Sequence, residues 1–264
     1  MRLKEEFYQN GKFSDCPIYD LHGHMGSFYG AHFPRNSPEQ MVKIMEKFGV
    51  KLLVFCHHFT LFSPDIGNSV NIESVKKFPD KFRAYCGINP HYPENIKKDL
   101  EDFEQNKDIF VGFKFLADYH RVPITDERYK PAWEFADKKN LLVLMHTWGG
   151  SPSDGPQQVR KCAEKYKNVK ILMGHSCHGE WDKAIKLSQD FPNVYLDLCA
   201  VPDEERGIIE KFVMEAGSEK IIFGTDFPWF NYAYYIGTVL GAEISEEDRK
   251  NIFFKNAQRL LKKI

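Results

Sequence analysis

Short apolar runs recur along the chain at intervals set by longer amphipathic stretches. Eight of them are rich in β-branched, aromatic or aliphatic residues: Pro17–Leu21, Leu52–His57, Arg83–Ile88, Val111–Phe115, Leu141–His146, Lys170–His175, Val194–Leu198 and Ile221–Thr225. Runs this short and this uniformly apolar suit strands buried on both faces. Between them, segments such as Ser37–Gly49, Pro93–Gln105, Asp126–Lys139 and Gly155–Tyr166 space their apolar residues as helices do. Ser37 before Pro38, and Ser245 with Asp248 three residues on, are helix-start signals. Strands alternating with helices imply parallel β/α units, and eight of them predict closure into a single (β/α)8 TIM barrel. The alternative is an open doubly wound sheet. The Gly149–Pro156 stretch is too short for a linker and reads as a barrel loop, so one domain over 1–264 is expected.

Composition narrows the picture. A chain of 264 residues suits one such barrel. Lys+Arg 36 against Asp+Glu 37 leaves no basic footprint, so no nucleic acid partner is expected. No apolar stretch approaches a membrane-spanning length and the N-terminus carries no leader-like apolar run, so no membrane association is expected. The six cysteines form no CxxC pair, which suits reduced thiols and a cytoplasmic location.

The candidate chemistry lies at the strand ends. His22 and His24 sit at the end of the first run, two apart, so that in an extended chain both point one way. The fifth run ends at His146, the sixth at His175, and Asp226 follows the eighth. In a barrel all these ends share one mouth, where chemistry is done. Imidazole and carboxylate donors suit zinc and also Mn, Fe or Co. A metal there activates water, and Asp226 or His175 is placed to take its proton. His57, His58, Trp148, Ser151, Cys177, His178 and Trp229 are further rim residues.

The order His-x-His, His, His, Asp resembles the amidohydrolase superfamily. The wording Asp-Leu-His-Gly-His, Gly-Phe-Lys-Phe, Leu-Met-His-Thr, Met-Gly-His-Ser and Gly-Thr-Asp-Phe-Pro-Trp resembles its "amidohydrolase 2" branch, which includes aminocarboxymuconate semialdehyde decarboxylase. The resemblance runs from about Tyr19 to Leu261. It implies His22, His24 and His146 as metal ligands, Asp226 as a ligand or proton handler, and His175 as the neighbouring base. It implies one divalent metal, zinc first, with Lys114 as a substrate contact or, carbamylated, a bridge to a second metal. Arg35, Trp148, His58 and Trp229 are candidate substrate contacts, although an arginine that would hold a substrate carboxylate does not stand out. The expected activity is metal-dependent hydrolysis of a C–N or C–O bond in a small molecule such as an amide, lactone or cyclic amide. The alternative is non-oxidative decarboxylation of an aromatic or dienoic acid at the same site. A homodimer is implied by the resemblance alone.

Overall fold

The computed structural model describes residues 2–262. The ends of the expected 1–264 unit, Met1, Lys263 and Ile264, lie outside the described residues. Eight parallel strands are hydrogen-bonded in sequence order: β1 (Ile18–Met25), β2 (Val50–His57), β3 (Phe82–Gly87), β4 (Phe110–Phe115), β5 (Leu142–Trp148), β6 (Lys170–His178), β7 (Val194–Asp197) and β8 (Ile221–Ile222). The chain is a (β/α)8 barrel. Backbone hydrogen bonds join its first and last strands: Leu21 N donates to Phe223 O at 2.9 Å, Asp226 N to His22 O at 2.7 Å and His24 N to Phe227 O at 2.7 Å. The bonds continue past the two-residue β8, so the segment that delivers Asp226 is zipped onto the strand that carries both histidines.

Two apolar layers hold the barrel. Inside it, Leu21, Val54, Tyr85, Val111, Leu144, Leu172 and Ile222 interdigitate, and Ala257 and Leu260 join the same cluster. Those last two belong to the C-terminal helix Asn256–Leu261, whose Asn256 Nδ2 donates to Ser218 O and Ile221 O at 2.7 and 2.6 Å. Outside the barrel, a larger apolar layer packs the strands against the surrounding helices. Burial of apolar area is the main force assembling both layers. Among the described residues, no helix is long and apolar enough to cross a membrane.

The helix starts follow side-chain chemistry. Ser37 and Gln40 form a reciprocal cap on the helix Pro38–Phe48, and Ser245 and Asp248 do the same for Glu246–Lys250. The stretch expected to be helical from Asp126 begins only at Lys130. Asp126 Oδ1 accepts from the Arg128 N–H at 3.0 Å, a local turn that competes with helix. β1 and β6 run further than their apolar composition predicts, so His22, His24 and His175 lie within strands.

Candidate metal centre and active site

β1 turns His22 and His24 to one side, their ring centroids 5.6 Å apart. Asp226 reaches them from across the seam. Its Oδ1 lies 3.2 Å from His22 Nε2 and 3.0 Å from His24 Nε2. The far side of each ring fixes which nitrogen carries the proton. His24 Nδ1 lies 3.1 Å from the Cys56 carbonyl, which only accepts, so Nδ1 is protonated and Nε2 presents a lone pair. His22 Nδ1 lies 2.6 Å from Asp197 Oδ2, with both side chains fully buried, which selects the same tautomer.

Two imidazole lone pairs and a carboxylate oxygen therefore converge, and Asp226 Oδ1 is buried without a hydrogen bond. Burial opposes the Asp226 charge, yet its contacts with His22 and His24 hold the carboxyl well below its usual range. Burial also keeps His22 well below its own ordinary value and hence neutral. The His22–His24–Asp226 donor atoms lie within 4.8 Å of one another, and they fit a divalent metal in both type and tautomer.

Lys114 at the end of β4 is buried, and its Nζ lies 3.0 Å from His22 Nε2. The ammonium occupies the same pocket as the carboxylate. Burial lowers its pKa, and the charge of Asp226 raises it.

His146 and His175 stand on the opposite wall, ring centroids 4.8 Å apart. His146 is not in the tight donor cluster; its Nδ1 lies 3.3 Å from the buried Asp154 Oδ2. His175 Nδ1 lies 3.2 Å from Cys199 Sγ, and burial holds the ring neutral. His175, Ser176 and Cys177 all have positive φ, of 67°, 47° and 52°. Three such residues in a row are costly, and a frame of hydrogen bonds holds them. Asp197 N donates to Ser176 Oγ at 2.8 Å, Ser176 Oγ to Asp197 O at 2.8 Å, and Cys177 N to Thr147 Oγ1 at 2.9 Å.

Above these groups lies a cavity of about 200 Å³. Its walls are mostly flat rings: His24, Phe28, His58, Tyr119, His146, Trp148, His175 and Trp229, with Lys114 and Asp226 as its charged groups. His58 stacks on His24 at 4.9 Å and 12°, and both its nitrogens are engaged. Nδ1 donates to Gly26 O at 2.8 Å, and Nε2 accepts from Trp229 Nε1–H at 3.0 Å. With burial pulling it down to about 3, His58 stays uncharged and offers a ring face rather than a proton. Trp148 lies between His146 (5.5 Å, 6°) and His178 (4.0 Å, 13°).

Arg35 is exposed on the loop after β1 and is not among the residues that line the cavity. The sequence reading also overlooked Asp197, Asp154 and Cys199. Asp197 lies one residue before the end of the seventh apolar run, so its position near the mouth was available as a signal. Asp154 was hidden in a loop, and its contact with His146 depends on how that loop folds back.

The amidohydrolase family model matches residues 65–263. The chain belongs to the amidohydrolase family. The match begins after β2, so His22 and His24 enter this amidohydrolase's site through the fold rather than the matched segment. The chain is 25% identical over 246 residues to a gamma-resorcylate decarboxylase of Polaromonas sp., covering 74% of each. It is 20% identical over 264 residues to an uncharacterized metal-dependent hydrolase of Mycoplasma genitalium, covering 88% of this chain and 98% of the relative. Among solved structures, a 2,6-dihydroxybenzoate decarboxylase from Rhizobium superposes with a TM-score of 0.74 at 16% identity, over 95% of this chain and 99% of that one. A dihydroxybenzoic acid decarboxylase from Polaromonas sp., solved with manganese and 2-nitroresorcinol, gives 0.73 at 19%, over 94% and 97%.

Proposed function

We propose that this amidohydrolase-family enzyme is a divalent-metal-dependent, non-oxidative decarboxylase of a small hydroxylated aromatic acid. The observation that carries the reading is the cavity: a narrow slot between ring faces, with a buried lysine and a metal-type donor set at its base. The similarity to gamma-resorcylate decarboxylases over three quarters of both lengths supports it, and favours it over the hydrolysis expected first from the sequence.

His22, His24 and Asp226 would hold the metal, with His146 facing it. When bound, the metal supplies positive charge that anchors anionic oxygens of the substrate and balances Asp226. The metal-bound relatives make Mn²⁺, rather than zinc, the first ion to test. The chain's own groups do the rest. The walls formed by His24 with His58 and by His146 with Trp148 keep the ring flat and exclude water. Among the described residues that line the cavity there is no arginine, and Lys114 is the one ammonium available to an anionic oxygen there. Loss of CO2 breaks the carbon–carbon bond and leaves its electron pair on the ring carbon, which must take a proton. That proton comes from solvent, and Asp226 and His175, which both line the cavity, would relay it to the ring carbon.

The test is Mn²⁺-loaded protein incubated with 2,6-dihydroxybenzoate and related carboxylated phenols, following CO2 release and the decarboxylated phenol together. Turnover that disappears on chelation and falls by ~10²–10⁴ in Asp226→Asn supports the reading. Metal-loaded, folded protein that cleaves lactones or amides but releases no CO2 from any such acid overturns it. Similarity to the Mycoplasma hydrolase keeps that second reading in the same assay.

A further inference from the structure

Beneath the cavity, the Cys199 thiol is fully buried at the meeting point of several donor atoms. Asp197 and His22 place donors within 4.8 Å of it, but those two are bound to each other at 2.6 Å. His175 and Asp226 are different. The His175 Nδ1 contact is with the thiol itself at 3.2 Å, and Asp226 is the carboxylate that this set shares with His22 and His24. The sulfur, the imidazole nitrogen and a carboxylate oxygen of this set also lie within 4.8 Å of one another.

We propose that Cys199, His175 and Asp226 form a second site, sharing Asp226 with the first and selective for thiophilic divalent ions of the zinc and cadmium class, that competes with turnover. The binding stands on these three residues alone; only the competition rests on the proposed decarboxylation. Tetrahedral zinc with Zn–S of ~2.3 Å and Zn–N of ~2.0 Å sets sulfur and nitrogen ~3.5 Å apart, so opening the present 3.2 Å contact by a few tenths of an ångström admits the ion. The ion replaces the thiol proton, which leaves to solvent: a thiolate–metal bond forms as the S–H bond breaks, without redox change. Entry is from the cavity, which His175 and Asp226 line. Thiolate, carboxylate and neutral imidazole around a divalent ion give a neutral cluster, which suits a buried place. Manganese, an oxygen-preferring ion, gains little from the sulfur, so selectivity follows from ligand softness. An ion held here takes from the reaction both residues assigned to proton delivery.

The test starts from Mn²⁺-loaded protein of measured manganese content and titrates it with Cd²⁺, following thiolate-to-cadmium charge-transfer absorption. The expected result is a band saturating at one equivalent in wild type and in Cys177→Ser, absent in Cys199→Ser, with activity falling in parallel. Cys177 is a fair control because its sulfur contacts Met173 Sδ. X-ray absorption of Zn²⁺ added to wild type needs no variant: one sulfur with imidazole and oxygen neighbours is expected. Only nitrogen and oxygen neighbours, or a band that survives in Cys199→Ser, would overturn the site. Failure to bind Mn²⁺ at the start would instead count against the proposed function, and the thiolate band would still report on the second site.

Discussion

Asp197 touches neither cavity nor substrate, yet the metal affinity should depend on it. Its Oδ2 accepts from His22 Nδ1 at 2.6 Å and from the His175 backbone N–H at 3.3 Å, while Oδ1 accepts from Cys199 N–H at 3.2 Å. Asparagine in the same place has one acceptor and one donor end. With its oxygen toward His22, its amide N–H groups oppose the Cys199 N–H. Turned round, they meet His22 Nδ1 and drive the ring proton onto Nε2, where the metal must bind. Either way the productive tautomer loses a hydrogen bond to a charged partner, about 1.5–3 kcal/mol. At ~1.4 kcal/mol per decade this is ~10–100-fold in affinity, the range found when partners of metal-bound histidines are changed. Competition between Asp197→Asn and a chelator of known Mn²⁺ affinity gives the dissociation constant directly, and saturating Mn²⁺ should restore much of the turnover. A folded Asp197→Asn variant with wild-type Mn²⁺ affinity would refute the argument, because the tautomer of His22 would then not be set by this contact.

Gly224→Ala should damage the same pair sterically: an added Cβ would fall 1.9 Å from Asp197 Oδ1 and 2.8 Å from His22 Cβ. A loss of about 1–3 kcal/mol in thermal or denaturant unfolding is expected, together with weaker metal binding; wild-type stability and affinity would contradict it. Asp99 lies buried beside Asn68, and burial raises its carboxyl from 3.8 to about 7. A raised acid makes the folded state bind more protons, so stability declines as pH climbs from about 4 to about 7 and levels off above, by at most ~4 kcal/mol. Asp99→Asn should therefore raise Tm at about pH 8 and leave it nearly unchanged at about pH 4; a gain equal at both values would remove Asp99 as the cause. Arg35→Ala should leave kcat/KM for the cognate acid unchanged, since the side chain is exposed and off the cavity; a tenfold loss, about 1.4 kcal/mol, would put it back in the site.

The barrel was legible because each strand announces itself locally: Leu52–His57 and Leu141–His146 are apolar on both faces and end in histidine at one mouth. His22, His24 and Asp226 were legible as a group for the same reason, since strand polarity alone puts them on one rim. The partners that tune them were not. Asp197 meets His22 across 175 positions of sequence, a relation set by barrel closure rather than by any local pattern. Lys114 was legible only as a substrate contact or a second-metal bridge, and it is the packing of β4 against its neighbours that sinks its ammonium beside His22. The place of Arg35 was not legible, because loop direction, which decides whether a long side chain reaches in or out, has no periodicity to read.

The bonds from His22 and His24 to the segment after β8 make the metal centre a clasp across the place where the chain closes on itself. During synthesis the two histidines emerge well before their carboxylate, so the site has no competent precursor until β8 and Asp226 have been made. Metal capture would then mark the completion of the fold. An ion held there would in turn resist the separation of the two strands whose parting opens the ring, a brace against unzipping as well as a reagent.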